Sequence, residues 1–198
     1  LSGLIYCIYT NLVGGEEVDA YNQLSFWEKT GGRLTAARYR LTVERNDTTQ
    51  LSGPYLLLAN HSCVHDMMLI QSALPSPVKF IITDTNQKQS AKSHLYKRLG
   101  YIEKSKFDYD YTKEAFGLAN TGYIVGIFPE NMLPWDGVSL PLLPSIAGLV
   151  KQLRLPVVVC TLDGAYLSNP RWAGSKRKGI TKITFKLTFK PEEINDMT

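Results

Sequence analysis

Tyr55-Leu56-Leu57-Leu58-Ala59-Asn60-His61-Ser62-Cys63-Val64-His65-Asp66 is the stretch on which the reading of the fold turns. Its first five residues form an unbroken apolar run, the pattern of a strand buried on both faces of a parallel sheet. The chain turns polar at Asn60, and His61 through Ala73 then takes helical spacing, with Met67, Met68, Leu69 and Ile70 apolar, until Pro75 and Pro77 end the segment. A buried strand running through a polar turn into a helix is the repeating unit of an α/β fold.

The same alternation extends outward in both directions. Downstream, residues 78–82 (VKFII) predict a strand, 88–99 a helix, 100–102 the start of a short strand and 111–121 a helix. Residues 122–128 (GYIVGIF) predict another buried strand, ending at Pro129-Glu130. A proline-rich loop over 133–144, a helix over 145–153 and a strand over 155–162 follow. Residues 180–189 alternate Ile183, Phe185, Leu187 and Phe189 with polar neighbours, as a half-exposed strand does. Upstream, residues 35–45 read as a strand and 1–35 as mostly helical, with Gly14-Gly15 and Gly31-Gly32 as turns. The expectation is one domain over 1–198, a central and largely parallel sheet flanked by helices.

The bulk composition agrees with a packed core. Of 198 residues, 44% are hydrophobic and 20% charged, which argues against disorder. The formal net charge of +4 is modest. Its distribution is uneven, since Arg171, Lys176, Arg177, Lys178, Lys182, Lys186 and Lys190 fall in a stretch with no acidic residue. Such a stretch suits an anionic lipid surface or an acidic carrier protein, or else a strand edge guarded by lysines. No aromatic-interleaved recognition motif accompanies it, so nucleic acid is not an expected partner. Three scattered cysteines give no disulfide framework or zinc spacing, which favours a reducing, cytoplasmic setting. No apolar run reaches the length of a membrane span. The chain begins at Leu1, which leaves an upstream anchor open.

Ligands of such sheets collect outside the carboxyl ends of the strands. Two ends are chemically loaded: Asn60 to Asp66, and Phe128-Pro129-Glu130-Asn131. On a regular helix a spacing of five places His61 and Asp66 about 140° apart. They meet only if His61 lies in the turn before the helix with its ring folded back. A carboxylate on one ring nitrogen then fixes the tautomer, and the other nitrogen is free to take a proton from a substrate hydroxyl. Three other readings compete. His61 and His65 could bind zinc as an i, i+4 pair, with His94 or Asp66 as a third ligand, but Ser62 stands where His-Glu-x-x-His needs its glutamate. Cys63 could act as a nucleophile, although a cysteine here is more often a small packed residue. His61 could be a structural cap.

Taken together, these blocks resemble the glycerolipid acyltransferases. NHSCVHD is similar to their His-x-x-x-x-Asp signature, and FPEN to the start of Phe-Pro-Glu-Gly-x-Arg. Gly100-Tyr101-Ile102-Glu103-Lys104-Ser105-Lys106 resembles Gly-x-Ile-x-x-x-Arg, and Leu155-Pro156-Val157-Val158-Val159 a fourth apolar block. The order fits from about residue 40 to 165. The resemblance implies transfer of a fatty acyl group from an acyl thioester, on coenzyme A or acyl carrier protein, to a hydroxyl of a lysophospholipid or glycerol phosphate, 1-acylglycerol-3-phosphate first among them. It implies His61 as base and Asp66 as its orienter. Glu130, flanked by Pro129 and Asn131, would meet the acceptor's hydroxyls, and Lys106 or Lys104 its phosphate. No bound cofactor or metal is implied, and the enzyme would work peripherally at a membrane surface, with Leu4–Tyr9, the N-terminal aromatics and the basic stretch over 171–190 as docking elements. Two departures stand out: Asn131-Met132-Leu133 replaces Gly-x-Arg, and the downstream Lys-x-Gly block is missing. They motivate an alternative, a non-catalytic lipid- or acyl-carrier-binding protein on the same fold.

Overall fold

The computed structural model describes residues 26–83, 102–104, 111–170, 172–174 and 177–195. Among them seven strands form one sheet: β1 (Leu41–Asn46), β2 (Leu56–Ala59), β3 (Val78–Thr83), β4 (Ile102–Lys104), β5 (Ile124–Ile127), β6 (Val157–Asp163) and β7 (Thr181–Phe189). Their order across the sheet is β1-β7-β6-β2-β5-β3-β4. Every neighbouring pair is parallel except β6 with β7.

The helices among the described residues are α1 (Phe26–Tyr39), α2 (Asp66–Ala73), α3 (Tyr111–Asn120), α4 (Ser145–Leu153), α5 (Ala165–Ser168) and α6 (Pro191–Asn195). Strand alternation sorts the core into two layers. Leu57, Ala59, Val158 and Cys160 face one side with Phe185 and the α2 residues Leu69 and Ile70. Leu56, Val125 and Val157 face the other, where Ala115 of α3 and Leu149 of α4 close over them. Central β2 is fully buried at Leu56 and Leu57, as an apolar run without alternation requires.

Four sequence expectations change. Residues 35–39 are the last turns of α1, not strand; Arg40, at φ 46°, breaks the helix before β1 begins at Leu41. Gly31 and Gly32 lie inside α1 rather than in a turn. A Cβ on either would come within 3.2 Å of Met68 Cε or Ser72 Cβ, so the missing side chains let α1 and α2 approach closely. The helix after His61 starts only at Asp66. The lysine-bearing strand β7 is not an edge, because it lies between β1 and β6; Lys182 instead pairs with Glu44 of β1 at 2.6 Å. The readings of 1–25, 88–99, His94 and Lys106 fall outside the described residues.

Candidate active site

Parallel pairing brings the carboxyl ends of β2 and β5 side by side, with Leu58 opposite Ile127. The two motif stretches leave the sheet from these ends. Asn60 secures the first: its side-chain amide donates to Leu162 O at 3.0 Å and accepts from Leu162 N at 2.7 Å, pinning the turn to β6.

His61 lies in the turn before α2, and its Nδ1 is 2.8 Å from Asp66 Oδ2. The same oxygen accepts from the main-chain N–H of Ser62 and, at 2.8 Å, of Cys63. Oδ1 accepts from the Ser62 hydroxyl at 2.9 Å and the Cys63 thiol at 3.1 Å. Asp66 is fully buried, and this convergence of donors replaces the water it has lost. It also folds the turn back over the first turn of α2, which resolves the five-residue spacing. A carboxylate only accepts, so Nδ1 carries the hydrogen in this pair. Nε2 makes no hydrogen bond among the described residues, and the His61 side chain keeps 19% of its surface exposed.

The imidazole is held from behind as well. It stacks on Phe128 with ring centroids 4.3 Å apart, and Phe128 stacks on Phe80 at 5.4 Å. Phe80 has room because β5 carries glycine beside it: a Cβ at Gly126 would lie 2.6 Å from the Phe80 ring. Sequence reasoning assigns no role to Phe128, Phe80, Gly126 or Asn60. The available signals are a glycine inside a buried strand and an aromatic at the head of the Phe-Pro-Glu block.

Glu130 is buried and joins the two motif stretches. Oε1 accepts from His61 N at 3.2 Å and Oε2 from Leu140 N at 2.8 Å, so one carboxylate fixes the base's backbone and the far end of the loop after β5. Pro129 is buried, and its carbonyl accepts from Leu143 N at 2.9 Å. Asn131 closes the turn onto Phe128 O at 3.0 Å with φ 58°. That left-handed conformation favours glycine and is tolerated best by asparagine among the other residues, so Asn131 keeps the backbone of a Phe-Pro-Glu-Gly turn. Leu133 is where the departure bites, since it supplies no cation. Lys104 ends β4, at the same sheet edge as His61 but separated from β5 by β3, about 10 Å away at the usual strand spacing.

The competing readings find other geometry. His65 does not share a helical face with His61; its Nδ1 is 2.9 Å from the Tyr39 hydroxyl. Among the described residues no three His, Cys, Asp or Glu side chains are grouped to hold a metal ion. Cys63 is buried, and burial together with the Asp66 charge pushes its thiol well above the ordinary range, which disfavours the thiolate a nucleophile needs. A basic surface cavity lined by Lys113, Lys151 and Arg154 around Phe116 lies against α3 and α4 and shares no lining residue with this site.

Fold and pair define a class: α/β proteins with a histidine–aspartate pair at the carboxyl end of a central parallel strand and a glutamate from the neighbouring strand beneath it. The chain belongs to the acyltransferase family, whose model matches residues 40–163, and it is an acyltransferase. Its structure is similar to that of the 1-acyl-sn-glycerophosphate (LPA) acyltransferase PlsC from Thermotoga maritima, with a TM-score of 0.73 at 15% sequence identity, covering 97% of this chain and 79% of that one. The two share the fold. No curated protein sequence matches the chain significantly.

Proposed function

We propose that the chain transfers a fatty acyl group from an acyl thioester, carried by coenzyme A or acyl carrier protein, to a hydroxyl of a lysophospholipid or glycerol phosphate, with 1-acylglycerol-3-phosphate the first acceptor to test. The observation that carries this reading is the 2.8 Å contact between His61 Nδ1 and buried Asp66, with Nε2 left unbonded among the described residues. As the acceptor oxygen attacks the thioester carbonyl carbon, its proton passes to Nε2. Asp66 stabilises the imidazolium. The tetrahedral intermediate collapses, the C–S bond breaks, and the departing sulfur takes the proton back from His61, leaving an ester and a free thiol.

Each oxygen of Glu130 keeps a second lone pair, and in this reading one accepts from a glycerol hydroxyl beside Pro129 and Asn131. Lys106 or Lys104 would meet the phosphate, as point charges replacing the absent arginine. The PlsC relative, by its own name an acylglycerophosphate acyltransferase, supports the acceptor class through shared fold. The reaction would take place in the cytoplasm at a membrane surface. No helix among the described residues is long and apolar enough to cross a membrane.

The experiment is acceptor-dependent thiol release from palmitoyl-coenzyme A and palmitoyl-acyl carrier protein. Lysophosphatidate, glycerol 3-phosphate and neutral glycerolipids would be compared, with wild type and His61→Ala. Loss of the base lowers kcat by about a thousandfold. Release that persists undiminished in folded His61→Ala removes His61 from the mechanism. Release with none of the pairs removes these substrates.

A further inference from the structure

Exposed large apolar side chains are unevenly placed. Met132, Trp135, Val138 and Leu142, each at least 59% exposed, stand on the loop after Glu130. Leu167 at 66% and Trp172 at 51% stand on α5 and just beyond it. Isolated exposed apolar residues are ordinary, but a concentration of this kind marks a contact surface.

Tyr166 binds the two segments into one surface. Its hydroxyl donates to Trp135 O at 2.9 Å and accepts from Trp172 Nε1 at 2.7 Å. Its ring fills the space over Gly137, where a Cβ would fall 2.5 Å away and where φ is +82°. Arg177 lies over the Trp172 ring at 5.0 Å and donates its backbone N–H to Ser168 O at 2.9 Å. Lys178 is exposed beside it. Asp136 is the one carboxylate in 131–142, and it accepts from Val138 N at 3.1 Å.

We infer that this Tyr166-centred surface is a membrane-docking face, with Trp135, Leu167 and Trp172 entering the headgroup region of an anionic bilayer and Arg177 and Lys178 meeting its phosphates. Tryptophan is the side chain suited to that interface, with an apolar ring and a polar N–H, and the flanking cations add attraction that uncharged lipid does not provide. The face is continuous with the site. The loop bearing Trp135 starts at Glu130 and returns to it through Leu140 N, so docking sets the mouth of the site against the lipid. This deepens the membrane-surface reading given above and rests on it.

The test is independent of turnover. The 198-residue chain carrying Trp27→Phe is mixed with vesicles of phosphatidylcholine and phosphatidylglycerol whose acyl chains are brominated near the headgroup, and tryptophan emission is read. Quenching of Trp135 and Trp172 is expected with anionic vesicles and is weak with phosphatidylcholine alone. Trp135→Ala or Leu167→Glu lowers vesicle affinity about tenfold, and Arg177→Ala with Lys178→Ala together lower it about twentyfold at low salt. Circular dichroism confirms that each variant is folded, and Leu167→Glu alters a side chain that protrudes into solvent. Vesicle binding without quenching of either tryptophan overturns the inference and points to another segment as the anchor. An emission change with acyl carrier protein but not with vesicles overturns it in favour of a protein partner. If docking fails while thiol release with soluble acceptors persists, the acyltransfer reading stands and this surface alone is rejected.

Discussion

The turn after β2 and the loop after β5 leave adjacent strand ends but are built in opposite ways. From His61 to Asp66, one buried carboxylate gathers the imidazole, two main-chain N–H groups, a hydroxyl and a thiol. From Asn131 to Leu142 the side chains point largely outward, and the loop is tied back at few places, chiefly Glu130 to Leu140 and Tyr166 to Trp135. A proton-transfer group must hold its geometry to fractions of an ångström, so its support is buried and over-determined. A surface that meets variable lipid or substrate needs area more than precision. Glu130 is the joint between the two regimes.

The sharpest way to break this contrast, after removal of His61 itself, is Asp66→Asn. One amide N–H₂ would then face donors, leaving buried groups unsatisfied and the wrong hydrogen on the imidazole. We expect at least a hundredfold loss of kcat and a loss of about 1–3 kcal/mol of stability, read by urea unfolding beside the thiol-release assay. Normal turnover in this variant would separate Asp66 from the base.

Glu130→Gln attacks the joint. It keeps one acceptor and turns a donor toward a backbone N–H, so the loop over 131–142 should become more protease-sensitive, with about a tenfold drop in kcat/KM. A fall in activity with no change in loop protection would mean that Glu130 acts on substrate alone. The rigidity of the turn can be sampled more gently through Cys63. Burial and Asp66 raise its thiol's pKa, so in the native state iodoacetamide at pH 8 should modify it far more slowly than in urea. Labelling at equal rates would show the turn to be open. The smallest effect is expected at Asn131→Gly. At φ 58° glycine is at ease, so stability should shift by less than about 1 kcal/mol; a larger loss would assign the Asn131 side chain a part that its backbone does not require.

How much of this is legible in the sequence depends on distance along the chain. His61 and Asp66 lie within one short stretch, and the meaning of their spacing follows from strand, turn and helix geometry alone. The buried strands are legible because a short apolar run without alternation suits a strand covered on both faces. What escapes is non-local. Nothing in Gly126 states that Phe80 leans over it, or that Phe80 supports Phe128 under the imidazole. The Gly31-Gly32 pair reads as a turn until α2 is seen packed against it. The lysines of 182–190 read as an edge guard because sequence does not give strand order, and β7 is enclosed by pairing with β1 from the far end of the chain.

That last pairing sets a timetable for making the protein. β1 leaves the ribosome before the other described strands, yet its sole sheet neighbour among them is β7, the last of them to emerge. Until about residue 189 has emerged, β1 has no ladder partner, and β6 presents an unpaired edge on the side away from β2. Closure of the sheet therefore waits on β7, and a chain cut short before it leaves β6 as an open edge and β1 without a partner in the crowded cell, a standing invitation to aggregation and to quality control.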